Sequence, residues 1–294
     1  MNQAAVPGVA ERPTSWWRGA LERRALRMHD EYVDLSEPIA FSSDGEREAA
    51  IKFFNAALRA EESGLRQAHE LAGEVGEWDA DLAEVLRLYG NEEGWHRELI
   101  VAYLEHLGGG VRPMGKTTRF LYRLYARARR METIVLLNLM FETIGATTYR
   151  MALRKVTHPS ARHMLTILTR DESFHVPLNV HFLKRVQARN PAAFRRLRPI
   201  FQLTFCALLC LPWASRPKAK AFDHIERADL SRAYAEQLGR VFAGEPSLGL
   251  RPPGWLLRLF GVQPSTLTGR LGSSTSAFAA ADAEDRSEVR VDAL

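Results

Sequence analysis

The chain has 294 residues, 46% of them hydrophobic, which is enough to bury a core and excludes a disordered or fibrous protein. Its formal charge of +5 is unevenly spread, with Arg112, Lys116, Arg119, Arg123, Arg127, Arg129 and Arg130 falling in one stretch that has no acid. The two cysteines, Cys206 and Cys210, are too few for a four-thiolate iron or zinc site and are spaced like adjacent helical turns, so a reducing, cytoplasmic setting is the simplest expectation.

Apolar residues recur every three or four positions and almost nowhere alternate, so the fold class expected is all-α. A first helix is predicted over Trp16 to Glu31, ending before Ser36, Glu37 and Pro38. The basic N-terminus around Arg12 and Arg18 carries no apolar run of signal-peptide length. A second helix opens at Ser43 and Asp44 and runs toward Gly73, with Ile51, Phe54, Leu58, Glu61, Leu65 and Ala68 along its seam. A third, from Asp79 to Leu107, stops at three glycines, Gly108 to Gly110; Leu86, Tyr89, Glu93, His96, Ile100 and Tyr103 line its seam.

The basic connector from Val111 to Arg130 then separates this pair from the next, as a long crossover does in a helical bundle. The fourth helix, Met131 to Val156, has the seam Val135, Leu139, Glu142, Ala146, Tyr149 and Leu153. The fifth, Pro159 to Gln187, has the seam Leu165, Leu168, Glu172, His175, Asn179 and Phe182. Asn190 and Pro191 restart a helix into the apolar run Pro199 to Trp213, read as a buried helix too short to span a membrane, with contact to a membrane surface or the lining of a greasy substrate path as the alternative, and Ala221 to Phe242 predicts another. These elements divide the chain into an N-terminal helix and linker (1–45), a four-helix bundle (46–188), flanking helices (189–263) and a Ser-, Ala- and Asp-rich tail expected to be disordered (264–294).

Charged residues rarely favour a core face, yet Glu61, Glu93, His96, Glu142, Glu172 and His175 all fall on apolar seams. Residues three apart share a helix face, so Glu93 with His96, and Glu172 with His175, can each reach one metal together. An isolated Glu-x-x-His is weak, but here two of them lie 79 residues apart, each with a seam glutamate 32 or 30 residues upstream of its own glutamate. One carboxylate from each of two helices plus a Glu-x-x-His from each of two others is the constellation of a di-iron or di-manganese bundle. The seam selects Glu61 over its neighbour Glu62, which is kept as a fallback or a supporting acid, and Glu142 over Glu132, which the helix dipole explains. Metal-bound histidines usually donate their second N–H to a carboxylate, which assigns Asp171 to His96 and Glu92 to His175. Tyr89, Tyr103 and Tyr149 share these seams, where core packing accounts for them.

The stretches Asn91-Glu92-Glu93-Gly94-Trp95-His96 and Asp171-Glu172-Ser173-Phe174-His175 resemble the two metal-binding motifs of the soluble acyl carrier protein desaturases. Ala60-Glu61-Glu62 and Phe141-Glu142 resemble the lone-glutamate helices of the same ferritin-like di-iron superfamily. The likeness covers about half the chain and is specific for the metal site. It implies a ferritin-like four-helix bundle, two iron ions, and oxygen activation against an unactivated bond, with Glu142 and Glu172 as the carboxylates that shift during the reaction. It also implies a reductant such as an acidic ferredoxin, and acyl carrier protein as a second partner. The desaturases carry a threonine one turn past the third-helix glutamate, where this chain has Gly145 and Ala146 followed by Thr147. The arylamine N-oxygenases have a further histidine where this chain has Leu168.

The expectation is therefore an oxygen-dependent oxidoreductase, a desaturase or monooxygenase, acting on a hydrophobic and possibly carrier-tethered acyl substrate. N-oxygenation of a small amine, ferroxidase or iron-handling activity, and a non-enzymatic adaptor are the alternatives. A di-manganese or mixed manganese–iron pair is the alternative cofactor. The basic connector suits a solvated helix face or an acidic protein docking near Arg119, Arg123 and Arg127; no nucleic acid is expected, and a homodimer is left open.

Overall fold

A computed structural model describes residues 12–39, 41–113, 119, 128–215 and 223–267. The protein is all-helical, a bundle with flanking helices, and there is no strand among the described residues. Helix α1 covers Thr14–Met28, α2 Asp44–Gly76, α3 Ala80–His106, α4 Met131–Leu153 and α5 Pro159–Arg189. Helices α6 (Pro191–Arg195), α7 (Arg198–Ser215), α8 (Arg227–Gly244) and α9 (Gly254–Leu259) follow.

The bundle helices start and stop where their caps dictate. The Ser43 hydroxyl accepts a hydrogen bond from the Glu46 amide at the head of α2, and Asp79 does the same for Leu82 at the head of α3. Helix α5 opens on Pro159, whose missing N–H costs nothing in the first turn. Past the end of α3, Gly108 takes a left-handed conformation (φ 67°), and the Gly109 and Gly110 amides return to the Leu104 carbonyl.

Helix α2 packs along α3 and α4 along α5, and the two pairs close through contacts of α2 with α4 and of α3 with α5. Phe54, Leu58, Leu86, Leu139 and Leu168 fill the space between them. Helix α1 lies across α3, anchored by Trp17, which is fully buried with its ring edge against Phe174 of α5. On the far side α8 packs on α4, where Thr148 and Tyr234 share a 2.6 Å hydrogen bond, and α7 packs on α8 through Phe201 and Phe242.

Three expectations need correction. The helix foreseen from Ala221 begins only at Arg227, because the Asp223 carboxylate accepts from the Ile225 amide and holds a turn there; residues 221–222 lie outside the described residues. The chain does not become a tail at Pro264: Pro264–Leu267 form a 3-10 turn whose buried Leu267 packs at Gly239, where a Cβ would lie 2.7 Å from it. Residues 268–294 lie outside the described residues, as does most of the basic connector, Arg123 and Arg127 included. Helix α7 is buried along one face only, since hydropathy records how apolar a segment is and not which side meets solvent.

Candidate metal centre

Four helices each send one glutamate into a common buried space: Glu61 from α2, Glu93 from α3, Glu142 from α4 and Glu172 from α5. His96 and His175 follow one turn after Glu93 and Glu172, and both imidazoles are fully buried. The six form two overlapping sets, Glu61, Glu93, His96 and Glu172 on one side and Glu93, Glu142, Glu172 and His175 on the other. In each set one donor atom from every member lies within 4.8 Å of the rest. Glu93 and Glu172 belong to both sets and can span two cations; Glu61 with His96, and Glu142 with His175, complete the two ends. His96 Nδ1 is 3.4 Å from Glu61 Oε2 and 3.9 Å from Glu172 Oε1, and His175 Nδ1 is 3.0 Å from Glu93 Oε1 and 3.7 Å from Glu142 Oε2.

The donor atoms themselves show that this space suits metal. Glu61 Oε2, Glu93 Oε1, Glu142 Oε2 and the Nδ1 atoms of both histidines are shielded from water and have no hydrogen-bond partner. Buried polar atoms are nearly always paired, and an unpaired cluster of acceptors is costly. Divalent cations would satisfy these atoms and offset four carboxylates at once. In their absence burial, reinforced by Glu142 and Glu61, pushes Glu93 and Glu172 well above the usual carboxylate range. Burial opposes a charged imidazole, yet the neighbouring carboxylates of Asp171 and Glu61 raise His96 to about 10, and those of Glu93, Glu142 and Glu92 raise His175.

Behind the imidazoles sits a second layer. His96 Nε2 is 3.2 Å from Asp171 Oδ2, and His175 Nε2 is 3.5 Å from Glu92 Oε2, so each histidine faces a carboxylate from the helix opposite its own. Arg24 of α1 joins the two acids, donating to Glu92 through Nε at 3.1 Å and to Asp171 through Nη2 at 2.6 Å. Asp171 also receives Arg170 at 2.7 Å and Arg27 at 3.2 Å. Burial alone would raise both acids, but Arg24 together with His175 at Glu92, and with His96 and Arg170 at Asp171, outweighs it, leaving Glu92 at about 2 and Asp171 below the usual range. Glu92, His96 and Asp171 also have metal-like spacing, but Arg24 already supplies the cation there.

The two lone glutamates each take a phenol: Tyr89 donates to Glu142 at 2.6 Å and Tyr149 to Glu61 at 3.0 Å. Tyr103 instead packs on Phe54, with ring centroids 4.6 Å apart. Glu62 does not join the cluster or support it; it faces outward to Arg59 and Arg97. The Thr147 hydroxyl donates to its own helix at the Thr143 carbonyl, 2.6 Å away, and does not replace the desaturase threonine.

The cluster is buried throughout, but its two sides differ in how they are covered. Helix α1, with Arg24 and Trp17, seals the imidazole side. On α4, Glu142 is the most exposed of the six, and partly exposed Gly145 has only Glu172 Oε2, 3.9 Å from an added Cβ, within 4 Å. Gly64 is more crowded: a Cβ there would lie 2.7 Å from Glu93 Oε2, so any larger residue requires that carboxylate to shift.

Sequence reasoning missed Arg24 and Gly64. Arg24 was within reach, because Trp17, Ala20, Leu21 and Arg24 form a helical stripe and an arginine on an apolar stripe carries the same signal as the seam glutamates. Gly64 gave no such signal. Comparison with protein-family models, with curated proteins and with solved structures finds no match. The buried Glu and His cluster in an all-helical bundle fits a ferritin-like di-iron fold and can hold metal.

Proposed function

We propose that this chain is a non-haem di-iron oxidoreductase that uses oxygen to attack a hydrophobic substrate, as a desaturase or monooxygenase. The observation that carries the reading is the pair of overlapping donor sets, each with a histidine and three carboxylates, sealed by α1 behind the histidines and with partly exposed Gly145 next to Glu172 on α4.

Bound iron would supply oxygen activation, which no side chain of this chain provides. His96 and His175 would hold the two ions through Nδ1 while Asp171 and Glu92 keep Nε2 protonated and the rings oriented. Glu93 and Glu172 would span the pair, with Glu61 and Glu142 at the ends. The Tyr89 phenol is kept protonated by burial and by Glu142, so it keeps its proton and donates it in a hydrogen bond to Glu142 Oε1. Substrate would approach along Phe141, Gly145 and Thr148, a partly exposed stripe on α4 whose glycine leaves room beside Glu172. The reducing equivalents would come from an acidic donor, for which exposed Arg119 is a docking candidate.

Reconstitution with ferrous iron, followed by oxygen and a reductant, tests the reading. Two irons per chain and oxygen uptake stimulated by acyl substrates support it. Continued uptake of iron into a ferric mineral, with no response to any organic substrate, would make the protein an iron-handling one.

A further inference from the structure

We infer that the solvent-facing side of α7 docks on the surface of an anionic lipid bilayer. Eight large apolar side chains are strongly exposed among the described residues, and five of them, Ile200, Leu203, Trp213, Trp255 and Leu259, belong to α7 and α9. At about 100° per residue, Ile200, Leu203, Ala207, Cys210 and Ala214 fall in one arc of α7, with Trp213 beside it. The opposite arc, Phe201, Phe205, Leu208, Leu209 and Pro212, is buried on the bundle. No charged residue occurs from Pro199 to Ser215, and on the outer side Gln202 is already engaged, donating to the Arg251 carbonyl at 2.9 Å. Leu203 is 74% exposed and Trp213 56%, values that ordinary core packing does not explain.

Charge decides which occupant suits this face. No acidic residue lies between Glu172 and Asp223, nor between Glu245 and Asp282. Exposed Arg195, Arg196 and Arg198 stand at the head of α7, Arg251 adjoins it through Gln202, and Arg258 lies between Trp255 and Leu259. None of these five guanidinium groups pairs with a carboxylate among the described residues. A second copy of the chain meeting this face symmetrically would set arginines against arginines. A bilayer answers both features: acyl chains accept Leu203 and Ile200 without asking for hydrogen bonds, indoles favour the interface, and anionic headgroups attract the arginines. No helix of the described residues is long and apolar enough to cross a membrane, so α7 would lie in the plane of the surface. This surface is independent of the metal centre and stands or falls separately.

Vesicle co-sedimentation of the full chain provides the test, comparing pure phosphatidylcholine with an equal mixture of phosphatidylcholine and phosphatidylglycerol. Binding is expected on the mixed vesicles and to weaken with salt. Leu203→Glu should lower partitioning on the order of tenfold or more, and so should the rim pair Arg195→Glu with Arg198→Glu. Both variants alter exposed residues, so unchanged helical circular dichroism verifies that they are folded. Absence of binding to the mixed vesicles, equal binding to both vesicle types, or binding indifferent to Leu203→Glu overturns the inference. A wild-type dimer in sedimentation velocity that Leu203→Glu converts to monomer would assign the face to a second copy and overturn it as well.

Discussion

Arg24 and Asp171 meet at 2.6 Å although 147 residues separate them, and through the same guanidinium Asp171 is joined to Glu92. One cation from the helix outside the four-helix core thus offsets both acids that face the two buried histidines. Removing one partner of a buried ion pair leaves the other charge uncompensated, at a cost of about 3–5 kcal/mol. Arg24→Leu should therefore lower the melting temperature of the metal-free chain by many degrees and weaken metal binding at both ends, whereas Arg24→Lys should restore part of each. A melting temperature within a degree or two of wild type in Arg24→Leu would show that α1 does not hold the centre.

The two histidines occupy different ligand sets, which predicts that their losses are separable. His96→Ala should leave the Glu142 and His175 end loaded, His175→Ala the Glu61 and His96 end, and the double variant neither. Metal content by mass spectrometry after dialysis measures this directly. Undiminished loading in the double variant would remove the histidines from the ligand set.

The centre was far more legible in the sequence than its surroundings. Helical periodicity places Glu61, Glu93, Glu142 and Glu172 on core faces, and a three-residue step then carries each histidine to its glutamate, so local geometry alone assembles the ligands. The cross-pairing of Asp171 with His96 and Glu92 with His175 followed from the same symmetry. Periodicity puts Arg24 on the buried stripe of α1 but does not carry it to the two acids, because the angle at which α1 crosses α3 is a tertiary property. The outer face of α7 was misread for a related reason: Leu203 and Leu209 look alike in sequence, and only packing separates the exposed one from the buried one.

Gly64 supplies a sharper steric test. An alanine Cβ there would lie 2.7 Å from Glu93 Oε2, so Gly64→Ala should displace that carboxylate, cost about 1–3 kcal/mol and impair metal loading. Gly73, on the same helix, has nothing within 4 Å, and Gly73→Ala should stabilise by about 0.5–1 kcal/mol through helix propensity with loading unchanged. Equal behaviour of the two in denaturant titrations would show that Glu93 can relax.

Protonation in the metal-free centre sets a pH dependence with a definite sign. Glu93, Glu172, His96 and His175 all hold protons more tightly folded than unfolded, so the stability they contribute is present at low pH and fades as pH rises. For His96 the window runs from the ordinary histidine value of about 6.5 up to about 10. Metal displaces these protons and removes that dependence. The gap in melting temperature between metal-loaded and metal-free protein should therefore widen as pH rises across this window, and metal affinity should rise with it. A gap that narrows would mean that the ligands are already deprotonated before metal arrives.

Access to the centre is predicted to depend on Gly145. This residue is partly exposed on α4, and a Cβ added to it would meet Glu172 Oε2 at 3.9 Å, in ordinary van der Waals contact, so a side chain can be added there beside the shared carboxylate. A leucine side chain would extend from there beside Glu172, while Glu142, one turn earlier on α4, keeps its hydrogen bond from Tyr89. Ala146 is its informative neighbour: it is buried, and enlarging it presses on the core. Gly145→Leu should accordingly keep both metals and nearly all of the wild-type stability while conversion of a bulky hydrophobic substrate falls, with the loss steeper for longer acyl chains than for small molecules. Ala146→Leu should lower the melting temperature as well. Full turnover of long substrates by a metal-replete Gly145→Leu enzyme, or a native preference for a small polar amine, would move the entry away from α4 and favour N-oxygenation.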